Sequence, residues 1–206
     1  IWKNADAEGS VTSFSVKQVR PQVVKVLVKK ALAAGDSTLE SVYTVYGSGQ
    51  ILIRNKLTPG EDLPELPRIG MQMEMPGEFS AMQWFGRGPQ ESYQDRKTGY
   101  AVGIYERDVY HPEHVYVRPQ ENGNMTDVRW AAWTNKKGVG LLAVGEPLIN
   151  ASAWHYTMRD LERARHIHEL PNRENITVNI DYKQTGVAGD NSWGARPHRQ
   201  YTLWAD

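Results

Sequence analysis

In Ile69-Gly70-Met71-Gln72-Met73-Glu74-Met75 every odd position is apolar, while Gln72 and Glu74 hold even ones. A period of two sends successive side chains to opposite faces, so the stretch reads as a half-buried β-strand. The alternation recurs toward the N-terminus. Phe14 and Val16 alternate with Ser13, Ser15 and Lys17, and Val24, Val26 and Val28 with Lys25, Leu27 and Lys29. Val42-Tyr43-Thr44-Val45-Tyr46 and Ile51-Leu52-Ile53 follow, with turn residues between the runs at Ala34-Gly35-Asp36, Gly47-Ser48-Gly49 and Pro59-Gly60 to Pro67. Toward the C-terminus, Val128 to Trp133, residues 139–144, Ile176 to Ile180 and Tyr201-Thr202-Leu203-Trp204 also read as strands. One segment breaks the pattern. Thr157-Met158-Arg159-Asp160 has the form of a capping box, and Leu161, Ala164 and His168 follow at helical spacing, which predicts one helix of about three turns. The expectation is an all-β protein, a large antiparallel β-sandwich with one short helix, forming a single domain over residues 1–206. Leu57 to Pro67 is then a loop inside that domain and not a linker.

Composition narrows the function. The 206 residues carry 24 Lys+Arg and 24 Asp+Glu, a net charge of zero that argues against a nucleic-acid binder, which needs a basic stripe. Apolar runs extend only a handful of residues, far short of the ~18–20 that span a bilayer as a helix. With no cysteine, the sequence offers no disulfide, no thiolate nucleophile and no Cys-ligated metal, and leaves the cellular compartment unreadable. A first residue of Ile1, without a basic or apolar leader, reads as a piece excised from a longer chain.

Candidate chemistry is sparse. Glycoside-type catalysis needs two carboxylates about 5–9.5 Å apart across a bond, and no acidic pair stands in such a context. Glu91 and Asp95 fall in a polar loop or short helix, where ion pairs such as Glu91 with Arg96 or Asp95 with Arg87 would fix the chain. His166 and His168 share a side only on an extended backbone; on a continuing helix they diverge by roughly 200°. A metal would also need a third donor, for which His155 and Glu169 are the near candidates. No metal is expected, and packed or hydrogen-bonded histidines are the reading adopted. Of seven tryptophans, Trp84, Trp130, Trp133 and Trp204 sit in strand patterns and are expected in the core. Trp193 lies instead in a run of glycines and small polar residues, where an indole either anchors the loop or offers a stacking platform to a ligand. The triplets at Asn124, Asn150 and Asn175 match glycosylation sequons but arise readily by chance.

Three motifs stand in order along the chain: Trp84-Phe85-Gly86-Arg87-Gly88-Pro89-Gln90-Glu91-Ser92-Tyr93-Gln94-Asp95-Arg96, Pro119-Gln120-Glu121-Asn122-Gly123 and Gly189-Asp190-Asn191-Ser192-Trp193. Together they closely resemble signatures of the large bacterial β-galactosidases of glycoside hydrolase family 2, and the likeness runs from Trp2 to about Leu203. The resemblance implies the C-terminal, small-chain domain of such an enzyme, a sandwich (supersandwich) with a fold like that of galactose mutarotase. It implies that the catalytic carboxylates and the magnesium lie in a separate TIM-barrel domain, so no residue of this chain is catalytic. It also implies that Trp193 reaches the mouth of the barrel and stacks on the acceptor sugar, with Asp190 and Asn191 bracing its loop.

The partners implied are the remaining domains of the parent enzyme and a galactoside such as lactose, with no nucleic acid and no membrane. The parent is expected to be a homo-oligomer, in cytoplasm or periplasm, and the isolated chain to be inactive. Two rival readings have their own signatures. A free-standing carbohydrate-binding module would bind galactose or lactose unaided. An aldose 1-epimerase would need a His/Glu acid–base pair, for which His166 or His168 with Glu169 is the only offer.

Overall fold

The computed structural model describes residues 1–111, 114–191 and 193–206. Ten strands dominate: β1 (Ser10–Arg20), β2 (Val23–Ala31), β3 (Thr38–Tyr46), β4 (Ile51–Thr58), β5 (Arg68–Pro76), β6 (Ala81–Gly88), β7 (Ala101–Asp108), β8 (Met125–Thr134), β9 (Gly140–Trp154) and β10 (Asn175–Gln184). Among the described residues one short α-helix, α1 (Met158–Arg163), joins them. The protein is all-β with antiparallel sheets, as the alternation predicts. It divides into two compact units, one of Ile1–Leu66 with Trp204–Asp206 and one of Pro67–Leu203. The boundary at Leu66 falls within the Pro-rich segment that the sequence presents as an internal loop.

The first unit is a four-stranded meander in the order β1-β2-β3-β4. Two of its turns fall where glycine permits a left-handed backbone, at Gly35 (φ 59°) and Gly49 (φ 89°), and the β1–β2 turn places Gln22 at φ 60°. Here one expectation fails: β1 is a strand, but Phe14 (63%) and Val16 (57%) are exposed, and so is every other residue along it. β1 is an edge strand paired only to β2, so its alternation records pairing geometry and not a buried face.

The second unit is a six-stranded sheet ordered β5-β10-β9-β8-β6-β7. Its register sets Met71, Met73 and Met75 opposite Ile180, Val178 and Ile176, and all but the half-buried Met71 belong to one core. Met82 and Trp84 of β6, Met125, Val128, Ala131 and Trp133 of β8, and Ala151 and Ala153 of β9 complete it. Trp84 and Trp133 are fully buried as expected. Trp130 is only half-buried. Trp204 is exposed and outside any strand, because Arg199–Tyr201 form a 3-10 turn where the sequence suggests a strand.

The capping box is present: the Thr157 hydroxyl accepts from Asp160 N, and Asp160 Oδ2 accepts from Thr157 N at 2.8 Å. The helix is shorter than predicted, however, ending after six residues at the extended Ala164 (φ −69°, ψ 131°). Glu169 accounts for this, since its Oε2 accepts the Arg165 N–H at 2.8 Å that a continuing helix would use internally. Arg173 donates to both oxygens of Asp160, at 2.6 and 2.8 Å, and holds that carboxyl well below its usual range.

Candidate functional site

The first two sequence motifs meet at one end of the six-stranded sheet. After β6 the chain turns through residues 89–100, and Arg87 fixes that loop by donating to the carbonyls of Lys97 (3.1 Å) and Tyr100 (2.8 Å). Its Nε donates to Asp127 at 2.5 Å, and Lys97 reaches the same carboxylate at 2.7 Å. Partial burial pulls the Asp127 carboxyl up, but these two cations outweigh it and hold it below its usual range. Asp127 sits at φ 53° in a break of the β8–β9 register, a left-handed position that aspartate tolerates better than most residues.

Glu91 is the hub between the motifs. It accepts from the Gly123 N–H at 2.6 Å, from the Tyr116 hydroxyl and from Arg96. The Glu91–Arg96 ion pair is one the sequence offers; the alternative pair of Asp95 with Arg87 does not form, because Arg87 turns to Asp127. Ser92 adds a second fastening. Its N–H donates to the Asn124 carbonyl at 2.7 Å, its Oγ accepts from Thr126 N at 3.1 Å, and Asn124 Nδ2 returns to its carbonyl at 2.9 Å.

The Glu121-Asn122-Gly123 turn, with Gly123 at φ 70°, is gripped on several sides. Trp154 Nε1 donates to the Asn122 carbonyl at 2.9 Å, Tyr156 to its Oδ1 at 3.0 Å, and Arg107 to the Gly123 carbonyl at 2.9 Å. A side chain at Gly123 would crowd the Arg107 guanidinium at 3.2 Å. Beneath the turn lies a buried charge cluster that the sequence does not announce. Arg68 donates to Glu121 at 2.9 Å and faces Asp181 at 3.6 Å. Burial pushes the Asp181 carboxyl up to about 7 despite Arg68, and the nearby Glu121 adds to the rise. Burial likewise raises Glu121 against the pull of Arg68, and raises the Tyr93 phenol that contacts Glu121 at 3.5 Å. Glu91 of the first motif and Glu121 of the second are thus engaged in holding loops together.

The third motif is tied to the first. Asp95 Oδ2 accepts from Ala188 N at 2.6 Å, and Gly186 lies so close that a Cβ there would meet the Asp95 carboxylate at 2.8 Å. Asp190 pairs with His198 at 2.7 Å, and Asn191 Oδ1 accepts from the Trp193 N–H at 2.8 Å. Ser192 of the motif lies outside the described residues. Trp193 itself is 93% exposed on this braced loop. Of the two near candidates for a third metal donor, His155 is used elsewhere: it stacks on Tyr110 (5.4 Å), and burial lowers its pKa.

Along residues 1–206 the sequence matches the family described as the β-galactosidase small chain. The chain belongs to that family. It is 42% identical over 208 residues to a β-galactosidase of Priestia megaterium, covering all of this chain and 20% of that relative. It is 36% identical over 212 residues to a β-galactosidase of Halalkalibacterium halodurans, again with all of this chain and 21% of the relative covered. A third relative, a β-galactosidase of Lactobacillus delbrueckii subsp. bulgaricus, is 34% identical over 205 residues, with 98% of this chain and 20% of its own length covered. This small-chain sequence therefore spans about a fifth of the length of the curated relatives it matches.

Proposed function

We propose that the chain is the C-terminal domain of a retaining β-galactosidase acting on terminal β-D-galactosides such as lactose, and that it completes the acceptor side of the active site. In this reading residues 1–206 act as one accessory domain, while the catalytic carboxylates and the magnesium belong to the parent's barrel domain. The observation that carries the reading is Trp193. Its indole is 93% exposed, yet its loop is fixed by Asp95, by the Asp190–His198 pair and by Asn191. Leaving so large an apolar ring in water on a loop held in place favours a surface waiting for a partner. A pyranose presents an apolar face that stacks on an indole. In a retaining mechanism the leaving sugar departs before water or a second sugar attacks, so a platform at that subsite governs both leaving and accepting steps. Asp190 and Asn191 are positioning residues for that platform.

The test is saturation-transfer NMR of lactose with the purified chain and with its Trp193→Ala variant, beside a chromogenic galactoside assay. The proposal expects no hydrolysis by the chain and no transfer in either sample, because the sugar site needs both domains. Transfer that vanishes in the variant would make Trp193 a self-sufficient platform and favour a binding module. Hydrolysis by the pure chain would overturn the accessory role.

A further inference from the structure

The early end of α1 changes what His166 and His168 can do. On a continuing helix their rings would point apart, but Ala164 is extended and so is His166 (φ −137°, ψ 155°). The two imidazoles consequently stack on the same side, with centroids 5.5 Å apart and planes inclined by 15°. The 3-10 turn Ile167–Glu169 then folds the Glu169 carboxylate back toward them. Its Oε1 lies 2.9 Å from His166 Nδ1, while its Oε2 accepts the Arg165 N–H at 2.8 Å. One donor atom from each of His166, His168 and Glu169 lies within 4.8 Å of the other two, and all three side chains are exposed.

We propose that His166, His168 and Glu169 form a surface site for a transition-metal dication, with Zn²⁺ as the reference ion. Two imidazoles and one carboxylate are a donor set that suits Zn²⁺, whereas Mg²⁺ and Ca²⁺ take oxygen donors. Bonds of about 2.0–2.2 Å to a tetrahedral ion place the donors roughly 3.3–3.5 Å apart. The donor atoms lie within 4.8 Å of one another on exposed side chains, so rotation of those side chains is the route by which the remaining gap would close. The backbone of the segment is already held. The Asp160–Arg173 pair ties α1 to the chain beyond the turn, and Leu161 and Leu170 pack on Trp154 and Tyr156 from either side of it. Binding would exchange the His166–Glu169 hydrogen bond for bonds to the ion, leaving a fourth position for water or a donor from outside.

Isothermal titration of the 206-residue chain with ZnCl₂ in a non-chelating buffer tests this, with histidine-ring NMR on the same samples. Because the three side chains are exposed, His166→Ala, His168→Ala and Glu169→Gln, which keeps an acceptor for the Arg165 N–H, can be compared without loss of the fold. His198→Ala serves as the control, taken from another exposed His–carboxylate pair, with Asp190. The proposal expects one equivalent of Zn²⁺, weakened at least about tenfold by each of the three substitutions and unchanged in the control. The His166 and His168 ring signals should move together. Absence of binding, binding that survives the loss of both histidines, or binding lost only in the His198 variant would overturn it. None of these outcomes depends on Trp193 or on sugar.

Discussion

Replacing Asp181 by Asn should stabilise the protein at neutral and alkaline pH while leaving it unchanged near pH 4. Asp181 is 2% exposed on β10, facing Arg68 at 3.6 Å, with Glu121 as a nearby like charge. Burial outweighs the attraction of Arg68 and moves the carboxyl from its ordinary 3.8 to about 7. The folded state therefore keeps a proton that the unfolded chain releases. The stability this proton brings is complete below about pH 4 and is lost as pH rises through about 7. The shift, 7 minus 3.8, is about three units at 1.36 kcal/mol each, or about 4 kcal/mol at most. An asparagine is neutral throughout, and Arg68 keeps Glu121 as a partner at 2.9 Å. Urea unfolding from pH 4 to pH 8, read by tryptophan fluorescence, should show variant and wild type coinciding at the acid end. The variant should then gain progressively and level off above about pH 7. A difference that is flat with pH, or that shrinks as pH rises, would refute the assignment.

Glu91→Gln should loosen the junction of the two motifs, since a neutral amide replaces a carboxylate that accepts from Gly123 N, Tyr116 and Arg96. A loss of about 2–3 kcal/mol in urea unfolding is expected, and hydrogen exchange should rise at Gly123. Thr157→Ala removes the capping hydroxyl of α1 and should cost about 1 kcal/mol, measured by the same unfolding assay.

Much of the fold was legible because β5 half-buries one face and carries a clean period of two, and because β8 and β10 keep a looser apolar pattern, β10 burying Thr177 and Asn179 as well as Ile176 and Val178. β7 escaped notice for the opposite reason. Its inward positions are Gly103, Tyr105 and Arg107, while Val102 and Ile104 point to solvent, so the apolar signal is inverted. β1 showed the signal without the burial. α1 was found at its start, where Thr157 and Asp160 are local, but its end depends on Glu169 reaching Arg165, which no helical spacing reports. Tyr201-Thr202-Leu203-Trp204 looks strand-like, yet Gly186 and Thr185 bond to it from a loop and no ladder forms. At the site, the three motifs were visible. The Arg68–Asp181–Glu121 cluster was not, because the register of β5 on β10 sets Arg68 near Asp181 while Glu121 comes from a third segment, ahead of β8.

The measurement closest to the central claim uses the parent β-galactosidase with Trp193→Ala, scored for hydrolysis against transfer to added sugar acceptors. Stacking on an indole is worth about 0.5–1.5 kcal/mol. The account predicts a roughly 2- to 10-fold weaker acceptor dependence and a shift from transfer toward hydrolysis, with the folded enzyme intact. An unchanged partition and unchanged acceptor dependence would contradict it, and would leave the exposed indole without a part in the reaction.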